Sequence, residues 1–86
     1  GELINANVYG LRGDIAVEQD DLQTAADLFA KAAQASDDQM TYVNFMQKLA
    51  IVYASMGDDA KSQQCYKDII AKYPQMEASY GRYVRE

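Results

Sequence analysis

Three pairs of adjacent aspartates are the most visible candidates for chemistry: Asp20–Asp21, Asp37–Asp38 and Asp58–Asp59. Paired carboxylates can act as general acid and base in glycoside hydrolysis, or they can bind a metal ion. Each pair, however, falls at a predicted junction between helices, where an aspartate accepts hydrogen bonds from free backbone N–H groups of the following helix. The sequence contains no D-x-D-x-D-G calcium loop. We therefore interpret the pairs as helix caps and expect no metal site.

Nucleophiles and general bases are equally scarce in this sequence. It has no His, and Cys65 is its single cysteine. The commonest general base is therefore missing, and an internal disulfide, a CxxC pair and a zinc site are excluded. Cys65 precedes Tyr66 on a predicted buried helix face, so we interpret it as a core residue. The motifs GxxxxGK[ST], GxSxG and GxGxxG are also absent. We predict a non-catalytic protein without a cofactor.

Length and charge narrow the classes of partner. With 86 residues the chain forms one domain, 1–86, and its net charge of −5 argues against nucleic acid. Residues 1–38 carry a net charge of −6 and residues 39–86 one of +1. The acidic part either steers a basic partner or forms only a solvated face. No apolar run reaches the ~20 residues of a membrane span, so we expect no membrane contact by this segment. Because the chain begins with Gly, we expect it to be a piece of a longer protein.

The elements that position these residues are predicted to be helices. Apolar residues recur at three- and four-residue steps in four stretches, which is typical of helices with one buried face. Gly57 suits a helix C-terminus, and Pro74 ends the fourth stretch before a short capping helix at about 76–85. The predicted buried faces, in chain order, are Leu3, Ile4, Val8, Leu11 and Ile15; Leu22, Ala25, Ala26, Phe29, Ala32 and Ala33; Phe45, Met46, Leu49, Ala50, Val52, Tyr53 and Met56; and Cys65, Tyr66, Ile69, Ile70 and Tyr73.

The first two helices resemble the next two. Small and bulky residues keep one offset of 37 positions, which indicates an internal repeat. The matched pairs are Gly13 and Ala50, Ala25 and Ser62, Phe29 and Tyr66, and Ala32 and Ile69.

Each unit resembles the tetratricopeptide repeat, which reads W-x2-L-G-x2-Y, then A-x3-F, then Pro. Unit one reads Tyr9-x2-Arg12-Gly13-x2-Ala16 and then Ala25-x3-Phe29. Unit two reads Met46-x2-Leu49-Ala50-x2-Tyr53, then Ser62-x3-Tyr66 and Pro74. The resemblance implies an all-α, tetratricopeptide-type α-solenoid. Its parts would be repeat one at about 6–39, repeat two at about 43–76 and the capping helix.

A narrower resemblance rests on several short runs: Gly13-Asp14-Ile15-Ala16, Asp21-Leu22, Ala25-Ala26-Asp27, and Lys48–Tyr53 with Lys72-Tyr73-Pro74. These runs are similar to the C-terminal repeats of bacterial membrane-anchored tetratricopeptide proteins that resemble the ancillary subunit of the secretion translocon. That resemblance implies a parent protein with a membrane helix, a repeat domain on the periplasmic side and a role in envelope protein assembly or secretion. Because this sequence contains no anchor, a cytoplasmic location is the alternative.

In the resembled family the first helix of each repeat lines a concave groove that binds a peptide or protein partner. Amide side chains there can hold an extended peptide backbone through paired donors and acceptors. The alternative is a groove that is merely solvated. A clamp for a terminal carboxylate is disfavoured, since Gly10 and Asp14 stand where Lys and Arg would be needed. By position, the groove residues would be Asn7, Gly10, Asp14, Val17, Glu18, Asn44, Gln47, Ile51, Ala54 and Ser55.

The C-terminal tyrosines allow a function of another class. Tyr80, Tyr83 and Val84 either cover the last repeat as a cap or form a surface for a homo-oligomer or another partner. On that second interpretation the chain is a structural module that packs on upstream repeats or on a second copy.

Overall fold

The computed structural model describes residues 5–85, and these residues form helices and short connections without any strand. The expected all-α class is therefore confirmed. Helices that follow one another in sequence pack against each other. The elements are α1 (Ala6–Glu18), α2 (Leu22–Gln34), α3 (Gln39–Ser55), α4 (Asp59–Lys72), a 3-10 turn (Pro74–Met76), α5 (Glu77–Tyr80) and a second 3-10 turn (Gly81–Tyr83).

One aspartate of each pair caps a helix, as predicted. The carboxylate of Asp21 accepts a hydrogen bond from the Thr24 backbone N–H at 3.3 Å, at the start of α2. Asp38 accepts from the Thr41 N–H at 2.9 Å at the start of α3. Asp58, rather than Asp59, caps α4. The short acidic side chain thus satisfies a backbone donor that the helix itself leaves without a partner.

The turns α1–α2 and α3–α4 share one backbone geometry at the predicted offset. Each contains a residue with positive φ, Asp20 at 58° and Gly57 at 80°, and these residues are 37 positions apart. The next residue in each turn donates its backbone N–H to a carbonyl five residues earlier, at 2.8 Å from Asp21 and 2.9 Å from Asp58. These are the bonds of a Schellman motif, which ends a helix with a left-handed residue. The two helical hairpins are therefore built by the same local rule.

The predicted buried face of α1 is wrong. Val8, Leu11 and Ile15 are exposed, Leu11 by 63%, while Leu3 and Ile4 lie outside the described residues. A stripe of small residues faces the core instead: Ala6, Gly10, Gly13 and Ala16. Two glycines in this stripe make room for aromatic rings, since a Cβ on Gly10 would overlap Phe45 and a Cβ on Gly13 would overlap Phe29.

The core lies between the helices and follows the other predicted faces closely. Phe29 and Ile69 are the largest fully buried side chains. Five predicted core residues are only partly buried: Leu22, Tyr53, Tyr66, Ile70 and Tyr73. Met56, also predicted for the core, is exposed because it follows the last turn of α3 as its C-cap. Alanines in α2 let the neighbouring helices approach closely, and the aromatic rings fill the space between them. The remaining core members are Ala25, Ala26, Ala32, Ala33, Val43, Phe45, Met46, Leu49, Ala50, Val52 and Cys65.

Candidate functional site: the face between α1 and α3

Two adjoining cavities open on the face where α1 and α3 lie side by side. We call the first the amide cavity; its volume is about 360 Å³. The second is the acidic cavity, of about 490 Å³. Together they form the α1–α3 groove. The amide cavity is lined by Asn7, Thr41, Asn44, Phe45, Gln47, Lys48 and Ile51, and the acidic cavity by Asp14, Val17, Glu18, Leu22, Phe29, Lys48, Ile51, Val52 and Ser55.

Lys48 and Ile51 belong to both cavities and join them into one surface. The ammonium nitrogen of Lys48 lies 2.9 Å from Oδ1 of Asp14, so an ion pair crosses from α3 to α1. The same nitrogen is 5.5 Å from the centroid of the Phe29 ring. Both side chains of the pair are about half exposed, and such a pair contributes roughly 0–1 kcal/mol. Lys48 therefore orders the middle of the groove more than it stabilises the fold.

The amide cavity carries donors and acceptors that are available to a ligand. Among residues 5–85 the side chains of Asn7 and Asn44 have no hydrogen-bond partner, and both are exposed. The carbonyl oxygen of the Gln47 side chain accepts a hydrogen bond from the Tyr80 hydroxyl at 3.3 Å, and its NH₂ group has no hydrogen-bond partner among residues 5–85. Three amides at the edge of an apolar floor suit the alternating N–H and C=O groups of an extended chain.

The structure brings the eight main groove residues of the sequence prediction to this one face. Four of them line the amide cavity and five line the acidic cavity, with Ile51 in both. Gly10 does not reach the groove surface, because it is buried under the Phe45 ring. Ala54 is exposed but lines neither cavity.

Sequence reasoning missed Lys48, the side chain at the centre of the groove. The sequence prediction places it only in the run Lys48–Tyr53 of the narrower resemblance, although it follows Asn44 by one helical turn and precedes Ile51 by another. That spacing places all three on one face of α3 and would have identified it. Thr41 and the cavity floor from Leu22, Phe29, Phe45 and Val52 were missed as groove residues as well.

The tyrosines near the C-terminus pack on α4. The rings of Tyr66 and Tyr83 stack with centroids 4.6 Å apart, and Tyr80 stacks on Tyr66 at 5.7 Å. A third cavity, of about 380 Å³, lies beside Tyr83 and Gln63. Val84 is partly buried, whereas Tyr83 keeps 43% of its surface exposed. The three residues predicted as an oligomer surface thus cover the last hairpin and still present one aromatic ring to solvent.

Cys65 occupies a core position on α4. It is 3% exposed, and burial, helped by the nearby Asp68 carboxylate, raises the pKa of its thiol to about 11. The protonated form is a poor nucleophile at neutral pH. Within residues 5–85, no three His, Cys, Asp or Glu side chains lie close enough together to hold a metal ion.

No family model, curated protein or solved structure matches this chain. In the described part of the chain, none of the helices has the length and apolar character that crossing a bilayer requires. The observations define the class as an all-α protein of consecutively packed helices with a groove lined by the first and third.

Proposed function

We propose that this protein is a non-catalytic helical-repeat scaffold of the tetratricopeptide type, and that it binds an extended segment of a partner protein in the α1–α3 groove. The observation that carries the proposal is the groove itself. Two cavities meet at Lys48 and Ile51, and each combines an apolar floor with polar side chains at its edge. Ligand sites in proteins have this composition.

The repeat supports the scaffold part of the proposal. Turns with matching φ values and matching hydrogen bonds recur 37 positions apart. In the first hairpin Gly13 of α1 faces the Phe29 ring of α2, and the residues 37 positions later are again small and aromatic, Ala50 and Tyr66. Stacked hairpins of this kind present an extended surface along their first helices, which suits a ligand that is itself extended.

The groove's dimensions and chemistry favour a peptide segment over a small molecule. Both cavities are open to solvent, and Ile51 at their junction is 56% exposed. A small ligand binds well when most of its surface is buried, which an open groove does not achieve. An extended peptide instead places one apolar side chain in each cavity while its backbone meets Asn7 and Asn44.

A substitution at Ile51 tests the proposal. A library of random twelve-residue peptides displayed on phage is selected on the purified protein, and the recovered peptides are measured against Ile51→Glu. We expect Ile51→Glu to weaken binding by at least tenfold, because a carboxylate would enter the apolar junction of both cavities. Met40→Glu is the matched control, since Met40 is 74% exposed and lines neither cavity. Recovered peptides that bind Ile51→Glu as tightly as the natural protein would refute the groove as the binding site.

A second candidate function, packing on another helical hairpin or on a second copy, rests on the outer face of α1. Val8, Leu11 and Ile15 are exposed there, and residues 37 positions later are Phe45, Lys48 and Val52. In α3 these equivalents meet the first hairpin: Phe45 covers Gly10, Lys48 lies over Phe29, and Val52 is buried. The exposed stripe of α1 therefore has the register of a surface that contacts a preceding hairpin.

Sedimentation analysis distinguishes the two surfaces that this candidate could use. If the α1 stripe joins two copies, Leu11→Lys abolishes a dimer that Tyr83→Lys leaves intact. If the surface of Tyr80, Tyr83 and Val84, which we call the tyrosine end, joins the two copies, Tyr83→Lys abolishes the dimer and Leu11→Lys leaves it intact. A monomer at all concentrations up to the millimolar range would rule out self-association through either surface.

A further inference from the structure

The acidic cavity differs from the amide cavity in both its floor and its charge. Its floor is formed by Leu22, Phe29 and Val52, and the exposed apolar side chains of Val17 and Ile51 extend this surface to three helices. Its edge carries two carboxylates, Asp14 and Glu18, and one ammonium group, that of Lys48. An apolar side chain fits the floor, and the edge favours positive charge beside it.

Glu18 is the carboxylate left to a ligand. Asp14 is already paired with Lys48 at 2.9 Å, whereas Glu18 is exposed and forms no ion pair within residues 5–85. The cavity edge therefore keeps one uncompensated negative charge after the internal pair is formed.

Two helix C-termini add to this negative charge. α1 ends at Glu18 and α3 ends at Ser55, and both residues line the acidic cavity. The carbonyl groups of a helix's last turn carry partial negative charge, although in both of these turns the Schellman hydrogen bonds already occupy some of them. The last turns of α2 and α4 contain Lys31 and Lys72, but those of α1 and α3 contain no basic residue.

We infer that the segment bound in the groove carries a Lys or Arg next to an aliphatic residue. The aliphatic side chain occupies the acidic cavity, and the cationic head group lies between Glu18 and the α3 C-terminus. A Lys or Arg side chain fits this environment because its methylene stem packs on apolar surface while its charge stays at the edge. This inference rests on the proposed function and specifies the partner's chemistry: a basic and apolar stretch of polypeptide.

The selection on random peptides also tests this inference when it is run on three proteins. We expect peptides recovered with the natural protein to be enriched in Lys or Arg adjacent to Leu, Ile or Val, relative to the unselected library. Glu18→Gln should lose that enrichment. Asp37→Asn is the control, because it removes one negative charge at the opposite end of the hairpins. Peptides selected on Asp37→Asn should keep the enrichment in basic residues.

A recovered peptide then allows a double-substitution cycle. Replacing the peptide's basic residue by norleucine should weaken binding roughly fivefold, and so should Glu18→Gln in the protein. The two changes together should weaken binding little more than either change alone, because both remove the same interaction. Peptides that need Ile51 but show no basic preference would overturn this inference and leave the groove function standing. A library that yields no peptide sensitive to Ile51→Glu would overturn both.

Discussion

Gly13→Ala is the substitution whose effect follows most directly from the packing of α1 on α2. An added Cβ at residue 13 would lie 2.6 Å from Cε1 and 2.8 Å from Cδ1 of Phe29. Carbon atoms in contact are normally separated by ~3.5–4.0 Å, so the ring would have to move by about 1 Å. Phe29 is only 2% exposed, so a shift of its ring disturbs the core packing around it.

Two effects of opposite sign determine how Gly13→Ala changes the free energy of unfolding. Overpacking of a filled core costs about 1–3 kcal/mol. Alanine inside a helix is favoured over glycine by about 0.8–1.0 kcal/mol. The balance is a loss of roughly 0–2 kcal/mol in the free energy of unfolding, which lowers the melting temperature by roughly 4–8 °C for each kcal/mol lost.

Replacing Phe29 by a smaller residue should reverse the sign of the stability change that Gly13→Ala causes. Val at position 29 has no atoms beyond Cγ, so in a Phe29→Val background the added methyl group meets no ring. There Gly13→Ala should stabilise the protein by up to about 1 kcal/mol through helix propensity alone. Urea unfolding followed by circular dichroism at 222 nm measures all four proteins of the cycle. The packing of α1 described above would be refuted if Gly13→Ala stabilised the protein equally in both backgrounds.

Three further predictions concern the turns, the caps and the thiol. Asp20 and Gly57 both have positive φ, which glycine adopts without strain. In thermal unfolding, Asp20→Gly should therefore stabilise the protein and Gly57→Ala destabilise it, each by about 1 kcal/mol. If both substitutions changed the stability in the same direction, the shared turn geometry would be contradicted. The hydrogen bond from the Thr41 backbone N–H lowers the pKa of the Asp38 carboxyl below its usual 3.8. The ionised carboxylate therefore stabilises the fold above pH 3.8, and this stabilisation is lost as the pH falls through the pKa that Asp38 has in the folded protein. Asp38→Ala should therefore be less stable than Asp37→Ala at pH 6, a difference that disappears in strong acid. At pH 8 the thiol of Cys65 should react with a disulfide reagent at least about 100-fold more slowly in the folded protein than in urea, because its pKa is raised from 9.0 to about 11; similar rates would place it outside the core.

The helices and their ends could be predicted from the sequence because the signals are local. Asp21 and Asp38 cap helices through their own neighbours, and Gly57 needs only its own backbone conformation. The offset of 37 positions located the second hairpin from the first, since the same residues build the same turn. Local chemistry of this kind does not depend on the rest of the fold.

The buried side of α1 could not be predicted from periodicity, because the pattern of large apolar residues selects the opposite side. Val8, Leu11 and Ile15 have helical spacing, yet the core accepts Gly10 and Gly13. A periodic pattern shows only on which side of a helix the large apolar residues lie. The side of α1 that is buried is instead determined by how closely its backbone must approach aromatic rings of the neighbouring helices.

Eight residues that line the two cavities could be placed on one face from the sequence, but the charge arrangement between them could not. Position in the first helix of each repeat identified Asn44 and Ile51, because residues on one helix face share a surface. The Lys48–Asp14 ion pair joins residues 34 positions apart, and only the packed hairpins bring them together. That contact, which leaves Glu18 as the negative group at the edge, depends on tertiary structure.

An NMR titration tests the central claim, that a peptide lies along the α1–α3 groove, most directly. The protein is labelled with ¹⁵N and titrated with a peptide recovered from the random library. The account predicts that the largest changes in backbone amide shift fall on Asn7, Asn44 and Ile51, with small changes at Met40. Changes concentrated at Leu11 on the outer face of α1, or at the tyrosine end, would contradict it.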